Sequence, residues 1–138
     1  MSSVEAFLDS NVWLYAFIKG QDPKKTAQAI ALINSLSTVY LSTQVVNEVC
    51  VNLLRKQTAT EEEIRDFIDD FYTLYQVIEL HQEQLVHASQ LREKYSLSYW
   101  DSLIIAAAIA SKTSIVYSED MQDGLVIESS ITIMNPFT

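Results

Sequence analysis

The sequence predicts an α/β domain with a mainly parallel sheet, and three observations indicate this fold class. Five strand-like segments alternate with helical segments along the 138-residue chain, a pattern typical of parallel sheets with helical crossovers. Apolar residues make up 49% of the sequence, which is enough for a core. The length suits one domain, residues 1–138, and two Gly and two Pro leave little room for flexible linkers.

The N-terminal half contains two predicted strands, each ending where a helix begins. The first strand ends at Asp9, and Ser10 or Asn11 is expected to cap the helix that follows, which Gly20 and Pro23 interrupt. The next two helices are amphipathic, because their apolar residues recur every three or four positions. In chain order the segments are VEAFLD (strand), SNVWLYAFI (helix), KKTAQAIALINSL (helix), TVYLS (strand) and TQVVNEVCVNLLRK (helix).

The C-terminal half continues the alternation and adds a helix of unusual composition. Thr60 and Glu63 form a predicted capping box, and Ser98 with Asp101 resembles another. The helix that Asp101 heads is apolar on nearly all sides, so it should be buried against the sheet. In order, the segments are EEEIRDFIDDFYTLY (helix), QVIEL (strand), HQEQLVHASQLREKYS (helix), YWDSLIIAAAIA (helix), SIVYS (strand), EDMQDG (turn) and ITIM (strand).

Charge and cysteine content narrow the functional classes. The formal net charge of −9 argues against a general nucleic-acid coat, which normally has a basic face. One cysteine excludes an intrachain disulfide. The N-terminus lacks the features of a secretory signal, and the apolar run Leu103–Ser111 is too short to cross a bilayer. We therefore expect a soluble, cytoplasmic protein without a membrane partner.

Four carboxylates are expected at one edge of the sheet. Asp9 ends the first strand, Glu48 lies early in the helix after the second strand, Asp101 heads the helix that leads into the fourth strand, and Asp120 follows that strand. All four therefore fall at the carboxyl edge, where open α/β sheets bind ligands. Each has an ordinary alternative: Asp9 as a cap, Glu48 as a solvated helix residue, Asp101 as a complement to the helix dipole, and Asp120 as a turn residue.

The joint pattern indicates a metal site more strongly than any single residue does. Like charges that cluster raise one another's pKa unless a cation joins them. An all-oxygen ligand set without Cys or His suits Mg²⁺ or Mn²⁺. His81 and His87 lie six positions apart on a predicted helix and do not share a face at metal-ligand spacing.

Several segments resemble the motifs of PIN-domain ribonucleases, in particular VapC-type toxins of prokaryotic toxin–antitoxin pairs. They occur in the order FLDSNVWLY, STQVVNEVCVNLLRK, SYWDSLIIAAAIA, IVYSEDMQDG and ITIMNPF, and they cover nearly the whole chain. The resemblance implies a three-layer α/β/α fold with a mainly parallel central sheet of about five strands. It also implies a metal-dependent endoribonuclease that uses metal-activated water.

The resemblance also assigns roles to individual residues and partners. Asp9, Glu48 and Asp101 match the metal-binding carboxylates of the family, and Asp120 matches a more variable fourth acidic position, for which Glu119 and Asp123 are nearby alternatives. Asn11 and Ser118 match polar positions that orient the carboxylates. The implied partners are an RNA substrate, a small antitoxin that places a basic residue in the acidic pocket, and a second copy of the chain in a homodimer.

Other residues and other functions remain as alternatives. The basic residues near these motifs are candidates for phosphate contacts or for ordinary surface: Lys19, Lys24, Lys25, Arg55 and Lys56. Core packing is the main prediction for Trp13, Tyr15 and Phe17, with a dimer or antitoxin groove as the alternative. It is also the main prediction for Tyr99 and Trp100, with base stacking as the alternative. A non-catalytic PIN-like module that binds RNA or protein is the main competing function. A dinucleotide-binding enzyme would need a glycine-rich loop that two glycines do not supply.

Overall fold

The first strand lies in the interior of a six-stranded sheet. The computed structural model describes residues 4–18 and 22–138. The strand order is β3-β2-β1-β4-β6-β5, and every neighbouring pair is parallel except β5 with β6. The strands are β1 (Glu5–Leu8), β2 (Thr38–Ser42), β3 (Gln76–Ile78), β4 (Ile115–Tyr117), β5 (Val126–Ile127) and β6 (Ile131–Met134).

The predicted fold class is confirmed, with one strand more than the sequence indicates. The additional strand, β5, is two residues long and pairs antiparallel with β6 at the edge of the sheet. Glu128 and Ser129 make the connecting turn with positive φ angles of 51° and 55°. A strand of two residues has no alternation for a sequence pattern to detect.

Helices flank the sheet in two groups. They are α1 (Ser10–Phe17), α2 (Pro23–Ser35), α3 (Thr43–Arg55), α4 (Glu61–Leu74), α5 (Gln82–Tyr95) and α6 (Tyr99–Ser111). The crossovers from β1 to β2 and from β2 to β3 run in one direction along the sheet, and the crossover from β3 to β4 runs in the other. Because parallel crossovers are right-handed, α1–α4 and α5–α6 cover opposite faces, which gives the expected three layers.

This strand order creates a crevice between β1 and β4. The chain moves outward from β1 to β3 and then returns to the other side of β1 to form β4. Helix α1 leaves the carboxyl end of β1 on one face of the sheet, whereas the helices that lead into β4 lie on the opposite face, and ligands of open α/β sheets bind at such a point. Asp9 follows β1 directly, and Ser118 follows β4 directly.

Two apolar elements hold the sheet between the layers. Seven successive residues of α6, from Ser102 to Ala108, are buried, as expected for a helix that is apolar on nearly all sides. On the other face Trp13 is fully buried and meets Phe71 edge-on at a centroid distance of 5.2 Å. Its indole N–H donates to the backbone oxygen of Leu8, which ties α1 to the end of β1. The predicted core role of Trp13 is thus confirmed.

The helix starts agree with the sequence with one exception. Thr60 and Glu63 form the predicted reciprocal capping box of α4. Ser98 caps α6 by accepting a hydrogen bond from the backbone N–H of Asp101. The cap of α1 is Asp9, not Ser10 or Asn11. Across the described part of the chain, none of the helices combines the length and the apolar character needed to span a membrane.

Candidate metal-dependent active site

Asp9 occupies the crevice between β1 and β4. Its Oδ1 accepts a hydrogen bond of 2.7 Å from the backbone N–H of Ser10, which makes it the cap of α1. Its Oδ2 accepts a hydrogen bond of 2.8 Å from the hydroxyl of Ser118. The residue is only 5% exposed, so Asp9 forms the floor of the site.

The surroundings of Asp9 destabilise its negative charge. Burial is the main reason that its pKa rises from 3.8 to about 6; the hydrogen bonds from Ser118 and Ser10 oppose this rise, and the charges of Glu48 and Asp101 add to it. A cation beside the carboxylate would stabilise the charged form that burial and the neighbouring charges disfavour.

Asn11 connects the end of β1 to the loop after β4. Its Oδ1 accepts a hydrogen bond of 3.2 Å from the backbone N–H of Glu119, which fixes the orientation of the amide because an N–H can only donate. The amide nitrogen therefore faces the acidic groups, at 3.2 Å from Asp120 Oδ2 and 3.4 Å from Asp9 Oδ2. Ser118 adds a second link, because its hydroxyl accepts from the backbone N–H of Asp120.

Glu48 reaches the site from the second turn of α3. Its Oε2 accepts a hydrogen bond of 2.7 Å from the hydroxyl of Ser10, and its Oε1 accepts one of 2.8 Å from the side-chain amide of Gln44. Gln44 also donates to the backbone oxygen of Trp100 at 3.3 Å. Glu48 is thus linked to the start of α1 and, through Gln44, to the start of α6.

Asp101 and Asp120 form the outer part of the cluster. Asp101 is half-buried, and its pKa is raised mainly by burial; the hydrogen bond with Ser98 opposes this, and the charges of Asp120 and Glu48 add to it. Asp120 is exposed. The structure therefore brings all four predicted carboxylates to one crevice, with the most buried at its floor and the most exposed at its rim.

The donor set fits a hard divalent cation. All four side chains offer carboxylate oxygens, which Mg²⁺ and Mn²⁺ prefer, and burial, with smaller contributions from Glu48 and Asp101, raises the pKa of Asp9, so a cation beside it would stabilise its charged form. As placed, however, no three His, Cys, Asp or Glu side chains within residues 4–18 and 22–138 are close enough to enclose an ion. Because Glu48 is bound to Ser10 and Gln44, ligation requires rotation of the half-buried carboxylates toward Asp9.

The family model of the PIN domain matches residues 6–122, a span that contains the whole acidic cluster. The chain belongs to the PIN domain family. No curated protein matches the chain in sequence. The PIN fold is supported by the family match and by solved structures that have the same fold at low sequence identity.

Three solved structures have the same PIN architecture. A toxin–antitoxin complex from Klebsiella pneumoniae is 19% identical over 95% of this chain and 97% of that one, with a TM-score of 0.72. Mycobacterium tuberculosis VapC20, described as a sarcin–ricin loop cleaving toxin, is 17% identical over 83% and 91%, with a TM-score of 0.68. Rickettsia felis VapBC2, bound to a DNA fragment from its promoter, is 18% identical over 96% and 98%, with a TM-score of 0.66.

In the structure the carboxylates of Glu119 and Asp123 bind partners outside the cluster. Glu119 forms an ion pair with Lys25, whose ammonium also lies over the rings of Tyr15 and Phe137. Asp123 accepts a hydrogen bond of 2.8 Å from the backbone N–H of Asn135. Asp120, which is bound to Asn11, is therefore the fourth carboxylate that the geometry favours.

Two side chains of the site escaped the sequence analysis. The sequence predicts Ser10 only as a cap, although it bonds to Glu48, and it assigns no role to Gln44. Gln44 was detectable, because a residue four positions before Glu48 on a helix lies on the same face. The contact of Ser10 depends on how α1 packs beside α3, which spacing does not reveal.

The predictions for the remaining residues have mixed outcomes. Tyr99 and Trp100 are 53% and 63% exposed, so the expectation that they pack in the core was wrong. Both residues lie in the first turn of α6. His87 pairs with Glu128 at 2.7 Å, apart from the acidic cluster. Lys19 lies outside the described residues.

Proposed function

We propose that this PIN domain is a metal-dependent endoribonuclease that hydrolyses RNA phosphodiesters with metal-activated water. The observation that carries the proposal is the convergence of Asp9, Glu48, Asp101 and Asp120 at the crevice between β1 and β4, where burial and neighbouring charge raise the pKa of Asp9 to about 6. Such a cluster is electrostatically unfavourable by itself and becomes favourable around a divalent cation.

The four carboxylates are proposed as the ligands of Mg²⁺ or Mn²⁺. When bound, such an ion supplies an activated water and stabilises negative charge on the phosphoryl oxygens. The chain contributes placement: Ser118 and Asn11 orient Asp9, Asn11 also holds Asp120, and Ser10 with Gln44 holds Glu48. These polar groups also bond to other parts of the site, which holds the carboxylates in position relative to one another. Neighbours of metal ligands commonly have this role.

The proposed biological role is that of the toxin in a prokaryotic toxin–antitoxin pair. Its support is the shared fold with the toxin–antitoxin complex of Klebsiella pneumoniae and with VapBC2 of Rickettsia felis. The proposed partners are an RNA substrate, a small antitoxin whose basic residue enters the acidic crevice, and a second copy of the chain. We propose a cytoplasmic location for this assembly. When the chain is co-expressed with a small reading frame from beside its gene, a small protein with a basic residue near its end should co-purify with it. Purification of the chain without such a protein would contradict the proposed antitoxin.

An RNA cleavage assay tests the reaction. The wild-type chain should cleave a pool of structured RNA with Mg²⁺ or Mn²⁺ and stop in EDTA. Asp101→Asn should abolish cleavage while preserving the fold, because it removes one proposed ligand without changing side-chain volume. Asp123→Asn is the matched control, since its carboxylate bonds to the backbone of Asn135 instead. Full metal-dependent cleavage by the Asp101→Asn protein would refute the proposed site.

A non-catalytic PIN module is the second candidate. The observation that favours it is that, among the described residues, no three potential ligands are close enough as placed to enclose an ion. Thermal melting separates the two candidates, because a cation that binds only the folded state stabilises it by about 2.7 kcal/mol at about 100 times its dissociation constant. A melting temperature that Mn²⁺ leaves unchanged favours the module, and a rise that Asp101→Asn weakens favours the nuclease.

A further inference from the structure

A groove extends from the acidic cluster along α3. We call it the α3–α6 groove: it has a volume of about 670 Å³, and its apolar lining residues include Val51, Leu80 and Leu103. Glu48 lines it as well, so the groove and the acidic cluster share this residue. Arg55 also lines it, seven residues further along the same helix. Seven residues bring the helix back to the same face about 10 Å away, so a negative and a positive side chain line the groove at this separation.

The wall of the α3–α6 groove carries an exposed aromatic side chain held in a defined position. Trp100 lines the groove and is 63% exposed. Its ring meets that of Tyr99 edge-on, at a centroid distance of 5.1 Å and an interplanar angle of 83°. Its backbone oxygen accepts the hydrogen bond from Gln44, the residue that also holds Glu48. The backbone of Trp100 is therefore linked to the acidic cluster, and its ring packs on Tyr99.

Contacts with α5 and within α6 hold Tyr99 in place. The guanidinium of Arg92, on α5, lies 4.6 Å from the centroid of the Tyr99 ring. The same guanidinium donates a hydrogen bond of 2.7 Å to the hydroxyl of Ser102, which in turn donates to the backbone oxygen of Tyr99. An exposed aromatic pair braced in this way loses little conformational freedom on binding, which favours the binding of a flat partner.

We propose that the α3–α6 groove is a base-binding subsite, in which Trp100 stacks on an unpaired base of the RNA and Arg55 contacts a phosphate on the same strand. This inference rests on the proposed function. It commits to RNA because Glu48 belongs to both the cluster and the groove, so a strand whose phosphate lies at the cluster continues into the groove. Aromatic faces bind unpaired bases with little regard to sequence, and a guanidinium suits a phosphate.

Binding and cleavage measured on the same variants test the subsite. A fluorescently labelled single-stranded oligoribonucleotide is titrated in Ca²⁺, with a gel to verify that the strand stays intact. Trp100→Ala should weaken binding about 5- to 150-fold, the range expected for the loss of one stacked base. Trp100→Phe should restore most of the affinity. Tyr72→Ala is the matched control, because Tyr72 is 47% exposed and does not line the groove.

Two further readouts separate stacking from charge. The chain has two tryptophans, and Trp13 is fully buried, so a change of tryptophan emission on adding RNA reports Trp100 directly. Arg55→Gln should reduce the dependence of log affinity on log salt by about one, whereas Trp100→Ala should leave this slope unchanged.

The outcomes distinguish the subsite from the proposed reaction. Trp100-dependent binding without cleavage supports the subsite and refutes the nuclease. Normal cleavage and binding by Trp100→Ala refutes the subsite and leaves the nuclease intact. A third outcome is tryptophan emission that responds to protein concentration or to a purified small protein partner and not to RNA. That result identifies the groove as a protein interface and refutes the subsite. The absence of any RNA binding refutes it as well.

Discussion

Replacing Asp9 by Asn should stabilise the metal-free protein near neutral pH. Burial raises the pKa of this carboxyl from 3.8 to about 6. At about 1.4 kcal/mol per pH unit, that difference corresponds to about 3 kcal/mol by which the fold disfavours the charged form. The amide keeps one acceptor but cannot accept from Ser10 and Ser118 with two oxygens, and one lost hydrogen bond costs about 1 kcal/mol. The expected net gain is about 1–2 kcal/mol.

The pH dependence of this gain has a defined sign. Between about pH 4 and pH 6 the folded chain retains a proton on Asp9 that the unfolded chain has already released, so stability falls as pH rises. Below about pH 4 both states are protonated and the destabilisation disappears. Asp9→Asn should therefore be more stable than wild type above about pH 6 and no more stable near pH 4.

Urea unfolding followed by circular dichroism in EDTA, at several pH values, measures this difference. Asp123→Asn is the control, since this exposed carboxylate bonds only to the backbone of Asn135 and should show no gain that grows with pH. A stability difference between wild type and Asp9→Asn that is constant from acid to neutral pH would refute the reasoning. A difference that favours wild type as pH rises would refute it more strongly, since the fold would then stabilise the charged carboxylate.

Three further substitutions probe the supports of the site and the core. Asn11→Ala should lower kcat more than it raises KM, because Asn11 positions Asp9 and Asp120. Steady-state cleavage kinetics measures both parameters. A change of both together with the melting temperature would indicate a purely structural role. Thr60→Ala should lower the free energy of unfolding by about 1 kcal/mol through loss of the capping box, with cleavage unchanged. Trp13→Ala should lower it by about 3–5 kcal/mol, measured by urea unfolding, because its fully buried indole joins α1 to Phe71; a loss below 1 kcal/mol would contradict the packing.

The residues that follow strands were predictable because backbone periodicity and parallel topology act locally. Asp9 and Asp120 come directly after β1 and just after β4, and Asp101 heads a helix whose apolar composition requires burial. For a parallel sheet, the sequence by itself determines that such residues share the carboxyl edge. It also determined the capping box at Thr60, since both partners lie within one turn.

Only the tertiary structure decided which neighbours these residues have. The order β3-β2-β1-β4 places the loop after β4 beside Asp9, and through Asn11 it favours Asp120 over Glu119, which pairs with Lys25. The short strand β5 exists only because β6 is present to pair with it. The exposure of Trp100 likewise depends on where the first turn of α6 ends relative to α3. These features arise from contacts between segments far apart in the chain, and the residue pattern within one segment does not specify which residues of another segment it will contact.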